Sequence, residues 1–146
     1  LKGTEQALSL AREVRAARPD DPRALALLAE ALGVRSAQLH SRGHYVEGLA
    51  LLDEAIPLAR AVLAREPDDL TTATDLMGYE RSRAFHCRQL GREEELRAAF
   101  AAVEELWREL APRVRGRRVF EAAFRHAICT CAELPAWPFG RIRIVP

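Results

Sequence analysis

Apolar and polar positions along this chain alternate with the period of a helix, not a strand. Leu25, Leu28, Leu32 and Leu39 are spaced so that all four fall on one side of an α-helix, the signature of a buried stripe. Leu49, Leu52, Ile56, Ala59, Val62 and Leu63 make a second stripe, and Leu76, Ala84 and Cys87 a third. Leu96, Phe100, Val103, Leu106, Trp107 and Leu110 complete a fourth. The breaks between stripes carry their own chemistry. Asp21 before Pro22 and Asp69 before Leu70 are helix starts, because a carboxylate caps free N–H groups and proline suits a first helical position. Gly43 and Gly91 are helix stops, because glycine tolerates the left-handed conformation that ends a helix. Glu93, Glu94 and Glu95 then fall in a first turn, where the helix dipole favours acid. The pattern predicts a helix over 4–18, a hairpin of 22–42 with 44–65, another of 69–90 with 92–111, and a sixth helix over 117–133. Loops this short force neighbouring helices to run antiparallel.

The stripes repeat. Residues 6–21 align without gaps on residues 54–69, each copy ending in Pro-Asp-Asp, and Gly43 and Gly91 stand at the same offset of 48. A fixed period of this size is the mark of stacked units, none of which can bury its apolar face alone. Pro57 is the awkward residue, since proline inside a helix removes a hydrogen bond and should bend the rod or mark its true start. The domain is expected over residues 1–133, with 134–146 an irregular tail docked through Trp137 and Phe139.

Composition narrows the field further. Ala, Leu, Arg and Glu dominate, aromatics are 6%, and the fold class is all-α. A formal charge of +1 creates no field that would draw the molecule to nucleic acid or an acidic membrane. Three cysteines do not make a disulfide framework, and no apolar run reaches the roughly 18 residues of a membrane span. A cytoplasmic location is expected. The sequence opens at Leu1 inside an apparent repeat unit, which suggests an excerpt of a larger protein.

The units resemble tetratricopeptide repeats. In that family a glycine and a following aromatic open the second helix of each hairpin, a small residue comes five after the glycine, and a Pro-Asp type stop ends it. Gly43, Tyr45, Gly48 and Pro67-Asp68-Asp69 fit this pattern; the second unit keeps Gly91 but has Glu93 and Leu96 at the other two places. The resemblance covers residues 4 to 112. It implies an elongated variant, because family units repeat at about 34 residues and each helix here is about two turns longer. Long-helix versions of this kind resemble those in bacterial regulatory proteins. The resemblance also implies a concave groove lined by the first helix of each hairpin, with Arg23, Glu30, Thr71, Thr74, Tyr79, Arg81 and Arg88 as partner-binding candidates. The family's clamp for a peptide carboxylate is absent, since Ala26, Leu27, Glu30, Thr74, Asp75 and Gly78 occupy its places.

Other clusters have plainer readings. His126, Cys129 and Cys131 include two metal-ligand types, but a helix turns Cys131 away from the other two and no fourth ligand follows, so no metal or cofactor is expected. His40 and His44 straddle the Gly43 break and read as a surface pair. Arg113, Arg115, Arg117 and Arg118 read as a solvated loop better than as a nucleic-acid site. No phosphate loop, nucleophile elbow or His-Glu-x-x-His helix is present, so the chain reads as non-enzymatic. A protein- or peptide-binding scaffold within a larger bacterial regulatory or signalling protein is the leading expectation, with self-association through the open N-terminal end. The alternative is a helical domain that senses a small molecule or peptide signal and controls an attached effector.

Overall fold

The computed structural model describes residues 2–120 together with residues 122 and 126. Among them five full helices follow one another: α1 (Lys2–Ala17), α2 (Pro22–His40), α3 (Tyr45–Arg65), α4 (Leu70–Gln89) and α5 (Glu93–Val114). Helical structure resumes at 118–120. The fold is all-α and built of antiparallel hairpins, α2 with α3 and α4 with α5. Each helix packs on the next in sequence, and the two first helices α2 and α4 also meet. The tail 134–146 and its Trp137 and Phe139 lie outside the described residues, as do Cys129 and Cys131.

The joints form as their chemistry dictates. Asp21 accepts a hydrogen bond from the Arg23 amide at 3.0 Å, and Asp69 accepts from the amides of Thr71 and Thr72 at 3.0 and 3.1 Å. Gly43 and Gly91 take positive φ angles of 78° and 67°. The amide of His44 then reaches back to the Leu39 carbonyl and that of Arg92 to the Cys87 carbonyl, both at 3.0 Å, satisfying carbonyls that a helix end would otherwise strand. The period therefore persists as geometry. Pro57 does not mark a helix start: α3 runs through it without interruption. It sits on the exposed side, where the carbonyl deprived of its donor can turn to water.

Every leucine of the first stripe is buried, and so are Leu49, Leu52, Ile56, Ala59 and Val62 of the second. Leu63 and Trp107 are partly buried against the same core. Two polar residues occupy stripe positions. Ser36 is fully buried, and Glu80 is 3% exposed at the place where the first unit has Leu32. Glu80 accepts a hydrogen bond from Arg60 of α3 at 3.0 Å. Burial pushes its carboxyl above the usual range, against the opposing pull of Arg60 and Arg83.

Charge pairs also repeat with the period. Arg35 of α2 pairs with Glu5 of α1 at 3.0 Å, and Arg83 of α4 with Asp53 of α3 at 3.3 Å. At the far end of each second helix an arginine grips the loop that opens its own hairpin. Arg65 bonds the Asp20 carbonyl, and Arg113 bonds the Pro67 carbonyl and, at 2.8 Å, the Asp68 carboxylate. Arg113 thus belongs to a structural tether, which removes it from the solvated basic run.

Two substitutions test this packing. Arg60→Ala should lower unfolding free energy by about 1–2 kcal/mol, because it strands a buried carboxylate while giving up a partner already half in water. Glu80→Leu, which copies Leu32, should be neutral or stabilising in the same denaturant titration. Equal losses from both would contradict the assignment.

Candidate functional site

The groove between α2 and α4 holds a cavity of about 290 Å³, lined by Ala37 and His40 from α2 and by Arg81, Ser82, Phe85 and His86 from α4. Its deep wall depends on one glycine. The His86 ring is fully buried and lies so close to α3 that a Cβ on Gly48 would stand 2.4 Å from its Cε1. Ser36 Oγ donates to the Gly48 carbonyl at 2.8 Å and lies 3.1 Å from His86 Nε2. Since that hydroxyl has one proton and gives it to the carbonyl, Nε2 carries the ring proton it shares with Ser36. One point on each of α2, α3 and α4 is fixed together there.

A serine beside a histidine invites comparison with an activated nucleophile. The arrangement here is a packing contact. Both side chains are fully buried, and the serine proton already has an acceptor. Burial, helped by nearby His40, lowers the His86 pKa from 6.5 to about 4. Nδ1 is sealed from solvent with no hydrogen bond of normal geometry, although the Tyr45 backbone lies near enough to favour the charged ring slightly. The ring is neutral at physiological pH.

His40 is not half of a surface pair. It is half-buried, with its ring edge-on to Tyr45 at 5.3 Å, to His86 at 4.9 Å and to Phe85 at 6.3 Å. His44 stays exposed and pairs with Glu47 at 3.3 Å. The Gly43 turn separates their surroundings as well as their helix faces. The result is an aromatic wall of His40, Phe85 and His86 at the C-terminal end of the groove, with the half-buried Arg81 beside it. Arg81 makes no ion pair with a described residue.

The groove's other end is acidic. Asp75 is pushed above the usual carboxylate range by burial first, then by the charges of Glu30 and Asp69. Glu30 is exposed on α2, so the two helices bring their carboxylates within electrostatic reach. Of the groove residues predicted from sequence, Arg81 reaches the cavity and Glu30 joins the acidic end. Tyr79 is 9% exposed, and its ring packs where a Cβ on Gly33 would meet Cε1 at 2.3 Å, so it holds α4 to α2 and is no surface anchor. Thr74 Oγ1 is spent on the Leu70 carbonyl at 2.7 Å. Arg23, Thr71 and Arg88 are exposed and do not line the cavity.

The residues that sequence reasoning missed are Ala37, His40, Phe85 and His86. Ser36 alone gave a signal, as a polar residue at stripe spacing between Leu32 and Leu39. Among the described residues, no group of three or more His, Cys, Asp and Glu side chains is placed to hold a metal, and no helix is long and apolar enough to cross a membrane. Comparison with protein-family models, curated proteins and solved structures finds no match.

The buried ring makes stability depend on pH. A histidine whose folded pKa lies below its unfolded one is neutral in the fold and binds a proton more readily when unfolded. Its contribution is therefore full above pH 6.5 and is lost as pH falls through about 4. Across that window the loss should be roughly 3 kcal/mol. Ring-carbon NMR titration of His86 should show it neutral at pH 5.5, whereas an ordinary midpoint near 6.5 would contradict the burial.

Gly48 supplies a second test. Alanine normally favours a helix over glycine by about 1 kcal/mol, and nothing lies within 4 Å of a Cβ at Gly78. Gly78→Ala should therefore be neutral or stabilising, while Gly48→Ala should cost about 1–3 kcal/mol through overpacking against His86, read from denaturant midpoints.

Proposed function

We propose that the protein is a non-catalytic module that binds a peptide segment of another protein along the α2–α4 groove, as an elongated tetratricopeptide-like array. The observation that carries this reading is the cavity bounded by Phe85, His40 and Arg81. Its apolar wall suits an aliphatic or aromatic side chain, and the unpaired guanidinium beside it suits a carboxylate, which arginine can hold through two parallel hydrogen bonds. Glu30 and Asp75 at the opposite end suit a basic residue. A bound peptide would thus be oriented, with an acidic and apolar end at Arg81 and a basic end at Glu30.

Openness favours a peptide over a free small molecule. Small-molecule pockets enclose most of their ligand, whereas this cavity of about 290 Å³ is open on one side. The long-helix architecture is in keeping with a module of a larger cytoplasmic regulatory or signalling protein of bacterial type. The sensing alternative draws its support from the same cavity, through the aromatic wall, but would need it to close over the ligand.

The test uses short peptides carrying a basic residue at one end and an apolar residue with a free carboxylate at the other, titrated into isotope-labelled protein. Amide shifts should concentrate at Ala37, Arg81, Ser82 and Phe85, and Arg81→Glu should weaken binding at least about tenfold. Shifts scattered outside the groove, or affinity unchanged by Arg81→Glu, would overturn the reading.

A further inference from the structure

The cavity at the C-terminal end of the α2–α4 groove is bordered by hydrogen-bond donors that the described residues leave unused. Arg81, Ser82 and His40 line it, and no acidic side chain does. None of these three side chains makes a hydrogen bond or an ion pair with a described residue. For Arg81 this sets it apart from its surroundings. Of the eight arginines on α3, α4 and α5, six meet a carboxylate at 3.6 Å or less. The two left over, Arg81 and Arg88, are seven residues apart on α4, which is about two turns and therefore one face. The helix dipole accounts for a base in the last turn, where Arg88 stands, but Arg81 lies two turns earlier. Stacking does not account for it either. In the first unit the places of Arg81 and Ser82 hold Gly33 and Val34, so these donors belong to the cavity and not to the repeat.

The number of donors selects the anion. A carboxylate has two oxygens, and the guanidinium fork satisfies both, which leaves the Ser82 hydroxyl and the His40 ring without an acceptor. A phosphate monoester carries about −1.5 to −2 charges and three strong acceptor oxygens, so two can meet Arg81 while the third meets Ser82 or a ring N–H of His40. We infer that the groove binds a phosphorylated side chain of a partner protein, with a protein-kinase reaction supplying the ligand. The inference rests on the peptide reading of the groove and names its anion. The acidic end then sets a spacing. Asp75 stands seven positions before Ser82 on the same face of α4, about 10 Å along the axis. An extended peptide advances about 3.3 Å per residue, which puts its basic residue about three positions from the phosphorylated one. The same carboxylates disfavour nucleic acid, whose further phosphates would have to pass Asp75 and Glu30.

The probes are four fluorescent peptides of one sequence, in which a central phosphoserine, phosphotyrosine, glutamate or serine has an arginine three positions away on each side. Each is titrated into the whole protein and followed by anisotropy. A phosphorylated peptide should bind at least about tenfold tighter than the glutamate peptide, and preference for either one identifies the side chain that carries the phosphate. Arg81→Gln should abolish that preference and Ser82→Ala should reduce it several-fold, while Arg97→Gln on α5 should leave it as it was. Circular dichroism of each variant establishes that the fold is kept. Phosphorylated and glutamate peptides bound equally, both weakened by Arg81→Gln, would overturn this inference and leave the peptide groove standing. No saturable binding of any peptide up to about 1 mM would overturn both. A preference that survives Arg81→Gln would put the phosphate elsewhere on the protein and contradict the assignment. So would a single-stranded oligonucleotide that binds through Arg81 more tightly than the phosphopeptides, which would make the site one for nucleic acid.

Discussion

Three helices meet where the His86 ring lies against Gly48 and shares a proton with Ser36. The contact demands a residue with no side chain on α3, a small hydroxyl on α2 and a planar ring on α4. Any one of these made larger would push the helices apart, since a close-packed interior has no slack to absorb it. The same contact sets the spacing between α2 and α4, and therefore the width of the groove. His86 is thus a packing residue whose ring also forms the deep wall of the cavity.

What the two hairpins share is mostly physical device. Asp caps, left-handed glycines, the Arg35–Glu5 and Arg83–Asp53 bridges and the Arg65 and Arg113 tethers all recur at the period. The cavity is built where the copies differ. Arg81, Ser82, Phe85 and His86 stand where the first unit has Gly33, Val34, Ala37 and Gln38. A repeat that merely stacked would not need a charged and aromatic set on one copy only. The contrast supports the peptide site proposed for the α2–α4 groove. Gly33, in turn, is the small surface over which Tyr79 settles.

The elements were legible because their signals are local. Stripe spacing located the core, and Asp21, Asp69, Gly43 and Gly91 located the joints within a residue or two. Pro57 left two readings open, a bend or a helix start, and the second fails because α3 runs through it with the ring on the exposed side. The groove was harder to read. Of the groove residues expected from the resemblance, Arg81 lines the cavity, whereas the Tyr79 ring is buried against Gly33 and holds α4 on α2. His40 and His86 carry no mark in the sequence, because a histidine at an apolar position looks like one at the surface until its neighbours across the fold are known. Ser36 and Glu80 stand at stripe spacing as polar residues, and their burial emerges only in the structure.

Gly48 and His86 are coupled through contact, and a double-mutant cycle measures that coupling directly. Unfolding free energies of Gly48→Ala, His86→Ala and the double variant would be compared with the unsubstituted protein. If the ring is what forbids a side chain at position 48, Gly48→Ala should lose its cost once the ring is removed, giving a coupling of at least about 1 kcal/mol. Additive losses, with Gly48→Ala equally damaging in both backgrounds, would contradict it.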